Sequence, residues 1–335
     1  MKIYKAVLLC FSIGFVLLSA MTCAEVKNEV LSSGTFKNVH SDELNQSEHV
    51  KVKDERNKTL IIGRVSERPK KHYKKLKPMV DYVADGMKDL GIIRGSVLIA
   101  EDNNKMIKYL KEGKVDWVTE TTFSAVIFSE ETGAEIILRR WKRGVPEYYC
   151  VFITRRDSGI NSLADLKGKK IAFEDPGSTT GFLFPLFRLK MEGFELVELE
   201  TPRGKPPLDK VGYAFAYGEQ NISTWVVKCL TDVGAYSNLD WENSNVTPES
   251  VKNDLKIIYQ TKPFPRSVEL LRKDLNPEIK KRLKEMLLNV HNDPDAAEIL
   301  ERYAYTTKFD ALNGEAKEGL NGVIRMLSYI RGEIE

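Results

Sequence analysis

The chain has 335 residues, 42% hydrophobic and 30% charged, which is ordinary globular composition and leaves room for two domains. Its 51 Lys and Arg stand against 48 Asp and Glu, a net charge of +3, so it carries no electrostatic footprint for nucleic acid. With four His and four Cys, and no zinc spacing, nucleophile elbow or dinucleotide fingerprint, the sequence points away from an enzyme and calls for no cofactor.

Residues 1–24 read as an export leader. Lys2 and Lys5 precede an apolar run, Ala6 to Leu18, that is short for a bilayer span, and Ser19, Ala20, Thr22, Cys23 and Ala24 follow. Cleavage after Ala24 leaves a soluble extracytoplasmic protein; cleavage before Cys23 leaves a thiol for a lipid anchor. Residues 25–58 are polar and aperiodic, a disordered tether.

From Thr59 the pattern becomes regular. Leu60 to Val65 is a short apolar strand. Leu76, Val80, Val83, Met87 and Leu90 recur at helical spacing, and Gly91 ends that helix. Strands follow at 96–100, 115–119 and 135–138, with helices at 106–111 and from Thr121 or Thr122 to Thr132. A second unit repeats the style. It has strands at 148–154, 170–173, 233–236 and 255–259, a short helix at 163–166, and helices from Ser178 to Met191 and from Ile222 to Leu230. Asn276-Pro277-Glu278 starts a helix with a cap residue, Pro at the first position and an acid beside it, and Leu320 to Ile330 is the last helix. Alternating strands and helices imply an α/β fold with mainly parallel sheets flanked by helices. Cys150 and Cys229 lie in apolar stretches and are expected as buried free thiols.

The segment Phe173-Glu174-Asp175-Pro176-Gly177-Ser178-Thr179-Thr180-Gly181 carries the chemistry. A strand ends, the chain turns, and three hydroxyls stand where a helix begins. Helix-start amides lack internal partners and carry partial positive charge, so with Ser178, Thr179 and Thr180 they can hold an oxyanion without Lys or Arg. Thr121 and Thr122 repeat the arrangement after an earlier strand, although each also suits a plain cap. Two such helix starts facing one another would clamp one anion.

Residues from about Thr59 to Leu300 resemble the phosphate/phosphite/phosphonate-binding proteins of ABC importers, among the type II periplasmic binding proteins. The resemblance rests on Gly113-Lys114-Val115-Asp116, Ser162-Leu163-Ala164-Asp165-Leu166-Lys167-Gly168-Lys169, the Asp175 to Pro185 segment, Thr231-Asp232-Val233-Gly234-Ala235 and Lys262-Pro263-Phe264-Pro265. It implies two lobes, 59–152 with 260–335 and 153–259, joined by two hinge strands and closing on a small oxyanion. It also implies that Tyr148 assists the three hydroxyls and that Glu219 or Gln220, and Ser237 or Asn238, select the ligand's organic part. The partner it implies is a membrane permease; the same cleft could instead report to a sensor protein. The sequence departs from the family at Thr119-Glu120-Thr121 and at Tyr217-Gly218-Glu219, and a free Glu120 would repel an anion.

Overall fold

The structure, a computed structural model, describes residue 56 and residues 58–331 apart from positions 67 and 177. The leader, Cys23 and nearly all of the tether lie outside the described residues. The chain divides into two units, Met1–Asn57 and Lys58–Glu335, and every strand and helix from Thr59 onward belongs to the second.

In chain order the elements begin with β1 (Thr59–Val65), α1 (Pro69–Asp85), β2 (Arg94–Ala100), α2 (Asn103–Lys111), β3 (Trp117–Glu120), α3 (Thr122–Thr132) and β4 (Glu135–Lys142). Then come β5 (Glu147–Tyr148), β6 (Cys150–Arg155), β7 (Lys170–Phe173), α4 (Phe184–Met191), β8 (Leu196–Glu198), β9 (Val211–Phe215), α5 (Glu219–Val227), β10 (Val233–Ser237), α6 (Asn238–Glu242), α7 (Glu249–Lys252) and β11 (Leu255–Gln260). The chain returns through β12 (Phe264–Pro265), β13 (Val268–Leu271), α8 (Pro277–Asn289), α9 (Ala297–Arg302), β14 (Thr306–Asp310) and α10 (Gly314–Arg331).

Two six-stranded sheets result, in the orders β14-β4-β13-β3-β1-β2 and β11-β6-β10-β7-β9-β8. In the first, β1 to β4 run the same way and β13 and β14 oppose them. In the second, only β6 runs against the rest. Both faces of each sheet are covered, as parallel strands require. On β1, Leu60 and Ile62 pack with Val80 and Val83 of α1, while Ile61 packs on the opposite face with Met106 and Phe128. On β7, Ile171 and Phe173 join one cluster and Ala172 another.

The chain crosses between the sheets twice. β6 and β11 pair antiparallel at the edge of the second sheet, and β5 and β12 continue them as a separate two-stranded ribbon, with Phe264 opposite Tyr148. Thr261 bridges the break, its N–H donating to Cys150 O and its Oγ1 accepting from Cys150 N, both at 3.0 Å. The expected strand 148–154 is therefore two strands interrupted at Tyr149.

Two expectations need correction. The helix expected from Ser178 to Met191 opens with a π turn, Thr179–Leu183, before α4 begins. Both cysteines are free, but only Cys150 is buried; Cys229 is exposed. It lies just past the end of α5, with φ of 56°, where the chain reverses and the side chain leaves the apolar face. Among the described residues no helix is long and apolar enough to cross a membrane.

Candidate functional site

Strands β10, β7 and β9 are adjacent and parallel, so their carboxyl ends open on one edge, the usual place for a ligand in such sheets. The hydroxyl turn follows β7, Glu219 follows β9, and Ser237 and Asn238 follow β10.

The turn is held by local bonds. Ser178 caps it by accepting from Gly181 N at 2.9 Å, and its Oγ donates to Glu174 Oε2 at 2.6 Å. Pro185 has no N–H to give the Gly181 carbonyl, which accepts instead from Glu174 N at 2.9 Å. A side chain at 181 would place its Cβ 2.5 Å from the Glu174 Cβ, so glycine lets Glu174 lie directly beneath the turn. Thr179 and Thr180 are each 6% exposed and stand at the helix start, where the helix supplies no acceptor for their amides. The Tyr148 side chain reaches over from the ribbon and hydrogen-bonds Thr179; burial nonetheless pushes its phenol well above the usual range.

An acidic group underlies these donors. Tyr217 N donates to Glu174 O at 2.8 Å, and the positive φ of Tyr217 (50°) and Gly218 (156°) turns Glu219 toward Glu174. The two carboxyls hydrogen-bond each other. Burial first, and then the neighbouring Glu219 and Asp175, push the Glu174 pKa up to about 8. Asp240 is raised by burial and by Glu219, against a stabilising bond from the Ser237 hydroxyl.

The remaining sequence candidates are engaged otherwise. Thr121 stands at the start of α3 without a side-chain capping bond. Thr122 is fully buried and its hydroxyl donates to Pro265 O. Gln220 is exposed and donates to Asn245 O at 2.7 Å. Asn238 Oδ1 accepts from Tyr149 N at 3.0 Å, fastening α6 to the crossing strand. Glu120 does not stand free: its two oxygens accept from Val65 N and Thr121 N, each at 2.9 Å.

Sequence reasoning missed Glu174 as a hub, Asp240, and Arg266. Arg266 follows β12 directly, and its charge acts on both Tyr148 and Asp240. Its position just past the Pro263-Phe264-Pro265 hinge motif was the one available signal.

Two sheets joined by antiparallel crossing strands, with hydroxyl-lined loops at the strands' carboxyl ends, define a type II periplasmic binding protein, a fold shared with solved phosphonate-binding proteins. The family model for the "ABC transporter, phosphonate, periplasmic substrate-binding protein" matches residues 65–316, and the chain belongs to this family, whose members work outside the cytoplasm as the binding components of ABC importers. It is 26% identical over 260 residues to the phosphonates-binding periplasmic protein of Escherichia coli K12, covering 75% of this chain and 72% of that protein. XAC2383 from Xanthomonas citri, solved bound to ATP, is 35% identical with a TM-score of 0.74, over 83% of this chain and all of that one. PhnD1 from Prochlorococcus marinus MIT 9301, solved with methylphosphonate, shares the fold at 17% identity and a TM-score of 0.56, over 81% of this chain and 99% of that one.

Proposed function

We propose that this protein captures a small phosphorus oxyanion (phosphate, phosphite or a phosphonate) between a lobe of residues 59–152 with 260–335 and a lobe of 153–259, and delivers it to a membrane permease. It acts by binding alone, tethered through residues 25–58 from a lipid anchor at Cys23. The observation that carries this reading is the Ser178-Thr179-Thr180 turn. Its buried Thr179 and Thr180 hydroxyls and its helix-start amides stand just past the carboxyl end of β7, with the Tyr148 side chain bonded to Thr179. Thr121 adds a donor from the first lobe. Glu219 and Ser237, with Asp240, face the ligand's organic end, where a carboxylate suits an amine. A relative that carries ATP and one that carries methylphosphonate agree in the phosphoryl group. The Thr179 and Thr180 hydroxyls each form a charge-assisted hydrogen bond worth roughly 1.5–3 kcal/mol, while Ser178, whose proton goes to Glu174, shapes the turn. Thr179→Ala therefore weakens methylphosphonate binding by roughly 10- to 150-fold in calorimetry, with the melting temperature little changed. Undiminished binding when positions 178, 179 and 180 are all Ala would defeat the reading.

A further inference from the structure

We propose that the first sheet carries a second anion subsite beside the hydroxyl turn, built from Arg64, Lys142, Arg143 and Arg266, which takes the distal phosphates of a polyphosphate chain. It rests on the oxyanion reading for the first phosphate only.

The four cations come from three parts of the chain and meet at one edge. β1 and β4 run the same way, so Arg64, near the end of β1, and Lys142, the last residue of β4, lie toward the same edge. A tight turn then fixes the next residue. Lys142 bridges Val145, and Arg143 and Gly144 between them both have positive φ, 56° and 72°, the signature of a two-residue hairpin turn. Arg143 N donates to Tyr305 O at 2.8 Å. Arg266 comes in from the ribbon: its N–H donates to Pro146 O, and its guanidinium donates to Lys142 O, both at 2.9 Å.

Their neighbours show what neutralised cations look like here. Arg139 is clasped by Glu147 and Asp310, each at 2.7 Å, and Arg140 lies 3.6 Å from the buried Glu269. Among the described residues no carboxylate comes within ion-pair distance of Arg64, Lys142, Arg143 or Arg266, and Arg64 Nε is buried without a hydrogen-bond partner. The crowding leaves a mark. Burial first, then Arg140, Arg266, Arg64 and Arg143, pull the Lys142 pKa down to about 7. Burial with Arg64, Lys75, Lys71 and Lys142 pulls His72 of α1 down to about 4. Packing like charges together while partly removing them from water is unfavourable, and a bound polyanion reverses the sign of that interaction. Arg is the side chain whose planar fork matches phosphate oxygens. Arg266 joins this cluster to the first site, because its charge also acts on Tyr148, whose side chain bonds Thr179.

The test is calorimetry without divalent cations, using methylphosphonate, inorganic triphosphate, ATP and adenosine. The proteins are wild type, Thr179→Ala, and a double variant, Lys142→Met with Arg143→Asn. Met keeps the aliphatic stem, and Asn tolerates a positive φ, so the turn is retained; a thermal melt checks the fold. Wild type should bind triphosphate at least tenfold more tightly than methylphosphonate. The double variant should lose at least tenfold more affinity for triphosphate than for methylphosphonate. ATP matching triphosphate, with adenosine inert, assigns the ligand as the phosphate chain itself; ATP much tighter than triphosphate adds nucleoside recognition to the same subsite. If methylphosphonate binds and triphosphate binds no better, or if the double variant loses both equally, the second subsite is wrong and the oxyanion reading stands. If triphosphate binding falls in the double variant but not in Thr179→Ala, the subsite stands and the hydroxyl reading falls. Binding of none of these ligands overturns both.

Discussion

Glu174 holds a proton that an ordinary glutamate gives up. Its pKa lies at about 8 in the folded protein against an unperturbed 4.5. Between those values the folded state binds more proton than the unfolded state, so this group's contribution to stability is present below about pH 4.5 and is lost as pH rises toward 8. Since one pKa unit corresponds to about 1.4 kcal/mol, the change is on the order of a few kcal/mol. Glu174→Gln keeps an acceptor for the Ser178 hydroxyl and removes the titration. Its stability relative to wild type should therefore grow from pH 5 to pH 8 and level off above. Denaturation curves that keep a constant gap across that range would show that Glu174 is not the protonated group. The same residue marks the limit of the sequence. Ser178, Thr179 and Thr180 were legible because cap chemistry is local. The Glu174–Glu219 contact joins loops after different strands, and neither residue's neighbours in the chain announce it.

At the scale of elements, the ribbon of β5 and β12 holds the aromatic centre of the crossing. Phe264 is 1% exposed; its ring stacks on Phe184 at 4.2 Å with planes 6° apart and tilts onto Tyr148 at 4.7 Å. Phe264→Ala opens a cavity and should cost about 3–5 kcal/mol in urea denaturation. A loss below about 1 kcal/mol would mean that the surrounding rings collapse into the gap. Strong periodicity made β1, α1 and α8 readable, whereas β9 and β13 were not. In β9, Gly212 reads as a breaker, yet a Cβ there would lie 2.8 Å from both Leu199 and Pro206. In β13, Glu269 interrupts a short apolar run, yet it is fully buried, accepting from Trp117 at 2.6 Å, Thr119 at 2.9 Å and Tyr303 at 3.1 Å. In both strands distant partners overrule the local pattern.

Across the whole molecule, the two sheets share a core. Phe123 and Val126 of α3 and Val323, Met326 and Leu327 of α10 lie in the same cluster as Phe173 and Leu189. Unfolding should therefore be a single transition, with Trp fluorescence and far-ultraviolet dichroism coincident. Methylphosphonate at about 100 times its Kd should raise stability by about 2.7 kcal/mol. Two separated transitions, with ligand shifting only one, would indicate sheets that fold independently. The placement of the crossing strands has a mechanical consequence. β6 and β11 occupy one edge of the second sheet, so that sheet is hung like a door on its jamb rather than pivoted at its middle. Neighbouring strands are about 4.8 Å apart, which sets β7 at about 10 Å and β9 at about 15 Å from β6. A swing of about 10° would carry the hydroxyl turn roughly 1.7 Å and Glu219 roughly 2.5 Å, given that strand spacing. The Glu219 loop thus has a longer lever than the hydroxyl turn, and if it reads the far end of the ligand as proposed, a ligand slightly too bulky there holds the door ajar through a small obstruction far from the jamb.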